Sequence, residues 1–159
     1  MTDSMATTSR YTTYDFMVNV ISGSLSGRQF SGFFTYDPSL LKGNESETIP
    51  ALEVEFNYLS QYTQADGIPD VSFSDGKFER LIWVSGKSTE RFGFNNGFQR
   101  TQFGRHEEAF IREGKDYFGY LDERTFVNGA GTITYTRRSD SILLKNEMYV
   151  QRRIGRISC

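Results

Sequence analysis

The sequence predicts an all-β protein, an antiparallel β-sandwich or flattened barrel of about ten short strands. Three observations carry that prediction. Apolar and polar residues alternate along most of the chain, the pattern of strands with one buried and one solvated face. The alternating runs are short and are broken at regular spacing by Gly, Asn and Asp. Aromatic residues are abundant, 14 Phe, 9 Tyr and one Trp in 159 residues, and such rings pack well on pleated backbone.

The elements follow in chain order. "YDFMVNVIS" places Phe16, Val18 and Val20 on one face and Asp15, Met17 and Asn19 on the other. "SGSLSG" (22–27) comes next. A phosphate-cradling glycine loop leads from a strand into a helix, but the residues after Gly27 alternate like a strand, so a hairpin turn is expected. In that second strand Phe30, Phe34 and Tyr36 share a face, with Gly32 leaving room for a bulge or a large facing ring. Residues 37–50 read as a loop with one helical turn at Pro38 to Leu41. "ALEVEFNYL" alternates cleanly, with Leu52, Val54, Phe56 and Tyr58 inward and Glu53, Glu55 and Asn57 outward.

"PDVSFSD" (69–75) offers Val71 and Phe73, and Asp75-Gly76 turns the chain. "KFERLIWVSG" (77–86) is apolar on both faces near its end, which predicts a central strand. "ERFGF" and "FQRTQFG" flank Asn95-Asn96-Gly97, a hairpin signal because Asn and Gly tolerate positive φ. "EEAFIRE" and "KDYFGYLD" are separated by Gly114, and "GTITYTRR" (131–138) follows an expected "NGAG" turn. Residues 139–154 fit a last strand or a short amphipathic helix. The domain organisation expected is an N-terminal segment (1–11), one all-β domain (12–138) and a basic C-terminal segment (139–159) docked on it.

A chain of this length suits one domain. Its mean hydropathy of −0.51 accompanies an aromatic content that supports a core, which argues against disorder. No apolar run reaches the roughly 20 residues of a membrane helix. "MTDSMATTSR" lacks the pattern of a secretory signal, so a soluble, cytoplasmic protein is expected. Cys159 is the only cysteine, which leaves no internal disulfide to form. Charge is uneven. Residues 137–159 carry six basic and two acidic side chains, a net +4 that leaves −6 for residues 1–136 of a chain totalling −2. Arg137, Arg138, Arg152, Arg153 and Arg156 are therefore candidates to contact an acidic surface, of this body or of a partner; nucleic acid is disfavoured by the acidic body and the lack of a recognised module.

"YDFMVNVISGSLSGRQFSGFFTYD", "IPALEVEFNYLSQYTQAD", "PDVSFSDGKFERLIWV" and "GAGTITYT", taken together and in order over residues 12–136, resemble a group of small cyanobacterial all-β proteins. The resemblance implies the same all-β fold and no established activity. Members of that group often carry an export signal or a sorting anchor, whereas this sequence shows neither pattern and ends in an Arg-rich segment.

Candidate chemistry is sparse. His106 stands beside Glu107 and Glu108, and on a strand only Glu108 would share its face, which allows an acid–base pair or simply a solvated histidine. Glu53 and Glu55 share an outward face at roughly 6–7 Å between Cβ atoms, inside the roughly 5–9.5 Å range of glycosidase carboxylate pairs; a charged outer face is also how a sheet stays soluble. Asp66, Asp70 and Asp75 form an acidic stretch of the calcium-loop kind, but Asp75 stands where an EF-hand counted from Asp70 needs Gly. Calcium is the only cofactor suggested, and two acidic turns explain the stretch without it. Trp83, Phe94, Phe98 and Tyr120 are candidates for stacking on a ligand, against the simpler reading that they pack the core. Three functions result: a non-catalytic binding or assembly module that self-associates through a sheet edge, a carrier of a small hydrophobic ligand in a barrel cavity, or a polysaccharide-acting enzyme using the acidic face.

Overall fold

The structure is a computed structural model and describes residues 11–87, 90–95, 114–122 and 127–139. Among these residues ten strands form one antiparallel sheet curled into a half-barrel. They are β1 (Thr12–Val20), β2 (Gln29–Tyr36), β3 (Glu47–Pro50), β4 (Glu53–Asn57), β5 (Gln61–Thr63), β6 (Asp70–Ser74), β7 (Lys77–Lys87), β8 (Glu90–Phe94), β9 (Asp116–Asp122) and β10 (Val127–Arg137). Across the sheet the order is β3-β6-β7-β8-β9-β10-β1-β2-β4-β5. The all-β class and the flattened-barrel form expected from the alternation hold.

The curl follows from the aromatic contacts. Phe56 lies on β4, ninth in the sheet order, yet its ring centroid is 5.2 Å from Phe92 and 5.1 Å from Phe94 on β8, which is fourth. Tyr36 on β2 likewise meets Phe73 on β6 at 5.0 Å. Such distances require the two wings of the sheet to face each other, with the inward side chains of both between them. Phe16, Phe34, Phe56, Phe92, Phe94 and Phe118 are all at most 3 % exposed. Burial of each ring contributes roughly 1.5–3 kcal/mol, and edge-to-face pairs add about 0.5–1.5 kcal/mol beyond area. Side chains fasten the last strand to the opposite wing: the Tyr62 hydroxyl on β5 donates to Glu90 Oε1 at 2.7 Å and accepts from the Lys87 backbone N–H at 3.0 Å.

Most local expectations are realised. Ile21–Arg28 is a hairpin connection, closed by Gly27 N–H donating to the Val20 carbonyl and Val20 N–H to that of Arg28, with Gly23 and Gly27 at φ +90° and +91°. Gly32 pairs with Phe16, and a Cβ there would stand 2.5 Å from the Phe16 ring, so this glycine makes room for a facing aromatic. Pro38–Leu40 forms one 3-10 turn capped by Asp37. Asp75 (φ +51°) and Gly76 (φ +78°) turn β6 into β7. β7 departs from the central position expected of it: among the described residues its first half, 77–82, pairs with β6 alone and its second half, 83–87, with β8 alone, and Val84 on its outer face is 42 % exposed.

Four further expectations are corrected. Leu52 is 46 % exposed instead of inward, because β4 starts only at Glu53 and the bend before it turns the side chain out. "NGAG" is not a turn. Residues 128–131 lie within β10, paired to β9, with Gly131 also opposite Val20 of β1, and Gly129 is needed for space: a Cβ there would fall 2.2 Å from the Tyr120 ring. β8 finds its partners in β7 along one edge and β9 along the other and not in the strand expected after Asn95-Asn96-Gly97, whose residues 96–104 lie outside the described residues. Asn95 does take positive φ, +51°. Finally, the stretch 37–50 contains strand β3, and β5 was not anticipated; both are short edge strands with little periodicity to read. The segments 98–104, 107–113 and 139–154 are outside the described residues, apart from Ser139.

Candidate functional site

The outer face of the half-barrel is ordered by strand register. Outward residues align across strands in rows: Thr136–Asp15–Phe33–Glu55–Thr63, then Thr134–Met17–Ser31–Asn57–Gln61, then Thr132–Asn19–Gln29. A flanking row aligns Thr13, Thr35 and Glu53. Rows arise because side chains alternate with period two while neighbouring strands lie roughly 4.7–4.9 Å apart.

A shallow trough of about 400 Å³ lies over the first two rows, lined by Asp15, Met17, Ser31, Phe33, Asn57, Thr134 and Thr136, with the Phe16 and Gly32 positions beneath. A second recess of about 410 Å³ adjoins it through the shared Thr134 and is lined by Ile21, Gly114, Lys115, Thr132 and Ile133. At one end of the trough Arg138 donates from Nε and Nη2 to the Asp15 carboxylate, at 2.8 Å for the shortest contact, and lays its guanidinium over the Phe33 ring 4.9 Å from the centroid. This ion pair is partly exposed, so its net contribution to stability is small. Its effect is to neutralise Asp15 and to cover part of Phe33.

Around the trough, outward polar groups bind one another: Thr13 with Thr35, Gln29 with Asn19, Gln61 with Glu55. Within it the side chains of Ser31, Asn57, Thr134 and Thr136 have no hydrogen-bond partner among the described residues, and all four are exposed.

A second polar cluster is half-buried. Asp116 Oδ2 accepts from the Tyr135 hydroxyl and from Asn95 Nδ2, at 2.5 and 3.1 Å. Tyr135 also accepts from Leu81 N–H, Asn95 Nδ2 also donates to the Leu81 carbonyl, and Asn95 Oδ1 accepts from Tyr117 N–H. Arg80 Nε stands 3.8 Å from Asp116 Oδ1. Burial pushes the Asp116 pKa up, while its bonds to Tyr135 and Asn95 and the Arg80 charge pull it back. Burial and the neighbouring Asp116 carboxylate raise Tyr135 well above its ordinary range. Perturbed groups of this kind occur in active sites and in structural networks alike. Here the bonds tie β7, the end of β8, β9 and β10 together, which is a structural task.

The residues singled out from sequence are dispersed. Glu53 and Glu55 are on the outer face as expected, in different rows, and Glu55 is bound by Gln61. His106, Glu108 and Phe98 lie outside the described residues. Trp83, Phe94 and Tyr120 are core residues at 3 %, 0 % and 0 % exposure, so they offer no surface for stacking. Trp83 Nε1 donates to the Gly67 carbonyl at 2.9 Å. Asp66, third residue of a 3-10 turn capped by Thr63, accepts from the Thr63 N–H and lies 3.7 Å from Lys87 Nζ; Asp70 is exposed at the start of β6 and Asp75 sits in the turn after it. Among the described residues no group of three His, Cys, Asp or Glu side chains is placed to hold a metal ion. Arg137 is exposed at the end of β10, Arg138 contacts the body's own Asp15, and Arg152, Arg153 and Arg156 lie outside the described residues. The trough residues went unnoticed in the sequence because each reads as an ordinary outward strand position. Only register brings them together.

No helix among the described residues is long and apolar enough to cross a membrane. Comparison of the chain with protein-family models, curated proteins and solved structures gives no match.

Proposed function

We propose that this chain is a non-catalytic all-β binding module that engages its ligand across the outer face of β10, β1, β2 and β4. One observation carries the reading: four exposed hydroxyl and amide side chains around Met17 and Phe33 are left uncommitted where the neighbouring rows pair internally. Two further features support a face over the alternatives. Aromatic rings from both wings occupy the interior, which favours surface binding over a cavity carrier. The outermost strands β3 and β5 are four and three residues long, and β3 ends in Pro50; short, proline-bearing edges disfavour strand addition, so assembly through an edge has less support than recognition on the face.

Thermal shift against a panel of neutral glycans, basic peptides and single-stranded oligonucleotides tests the reading, on the native chain and on the exposed double variant Ser31→Ala/Asn57→Ala. A ligand that binds the folded state raises the melting temperature by mass action. The expected result is stabilisation of the native chain that the variant loses. Equal stabilisation of both proteins, or catalytic conversion of the bound compound, overturns it.

A further inference from the structure

We infer that the outer trough recognises a neutral oligosaccharide chain lying across the strands; this rests on the binding-module reading and adds the ligand's chemistry. Three properties of the trough converge on that class.

The first is its charge. Asp15, the charged residue that lines the trough, is paired with Arg138, and Glu55, which keeps its charge beside the neutral Gln61 amide, lies outside the lining, so no unpaired charge of either sign faces the trough floor. A phosphate ligand selects clustered cations and an ammonium ligand selects free carboxylates, and neither arrangement is present there among the described residues.

The second is hydrogen-bonding capacity. Ser31, Thr134 and Thr136 hydroxyls and the Asn57 amide each both donate and accept. That dual capacity matches a ligand whose own groups are hydroxyls. An acceptor-only or donor-only ligand would use half of it.

The third is shape. Met17 and the partly exposed Phe33 provide apolar surface between these polar groups, suited to the C–H face of a sugar ring, which is apolar while its rim is polar. The two recesses share Thr134, so the concavity extends from Gly114 and Lys115, just ahead of β9, across to β4. Its length fits several linked rings better than one monosaccharide.

The experiment is a neutral-glycan array followed by 15N NMR titration with tetrasaccharides of glucose, mannose and xylose. Polylysine and a single-stranded oligonucleotide serve as comparison probes. At least one tetrasaccharide is expected to shift the amides of residues 15–17, 31–33 and 134–136 saturably. Asn57→Ala and Thr134→Val, both at exposed positions, should each weaken it at least about fivefold without changing the spectrum elsewhere; Phe33→Ala should abolish it. If polylysine or the oligonucleotide shifts those amides and no sugar does, the ligand class is wrong and the binding face stands. If sugars bind but shift only other residues, or if no probe moves the face, the inference falls, and in the second case the binding-module reading falls with it.

Discussion

The hydroxyl of Tyr120 donates to the backbone carbonyl of Ser22 at 3.0 Å, across 98 residues of sequence. The same oxygen accepts from Leu25 N–H at 2.8 Å, and Ser22 Oγ accepts from Ala130 N–H. A buried ring on β9 thereby holds the conformation of the β1–β2 hairpin, and the serine–glycine loop acts as a lid of backbone over Tyr120.

Tyr120→Phe keeps the ring and removes both bonds, leaving the Leu25 N–H and the Ser22 carbonyl to find water. The expected loss is about 1–2 kcal/mol, read by urea unfolding, with faster amide exchange confined to residues 21–28. Unchanged exchange there would show that the loop holds itself.

Gly32→Ala adds a methyl 2.3 Å from the Glu55 carbonyl and 2.5 Å from the Phe16 ring. Such overpacking should cost about 1–3 kcal/mol. Phe16→Leu in the same chain should recover part of that loss, because the ring contact is relieved and the backbone contact is not. Additive effects of the two substitutions would refute the coupling.

Tyr62 and Tyr135 are both raised above the ordinary tyrosine value, with burial as the largest cause and the Glu90 and Asp116 carboxylates adding to it. A raised folded-state pKa means stability fully present below the unfolded value of about 10 and lost as pH climbs through the folded one. Stability should therefore fall above about pH 10, and Tyr62→Phe or Tyr135→Phe should flatten that fall. A slope identical to that of the native chain contradicts the assignment.

Asp116 is also raised. The proton it retains contributes stability below the unfolded carboxylate value of about 3.9, and that contribution disappears as pH rises through the raised value. Asp116→Asn keeps an acceptor for the Tyr135 hydroxyl and cannot titrate. Its stability relative to the native chain should rise with pH above about 4, measured by denaturant unfolding from acid to neutral pH. A pH-independent difference would show that Asp116 titrates alike in both states.

Alternation along the chain determined the all-β class, the inward faces of β1, β2, β6 and most of β4, and the turns at Gly23–Gly27 and Asp75–Gly76, because period and positive φ are local properties that a few residues express. Tertiary structure alone decided which strands became neighbours. Strand pairing joins residues far apart in sequence, so nothing local placed Gly129 under the Tyr120 ring, turned "NGAG" into strand, or gave β8 the partner β9. The same limit hid the functional candidates. Asp15, Ser31, Asn57 and Thr134 are ordinary polar positions on four separate strands, and a single face exists only once the register has set them side by side.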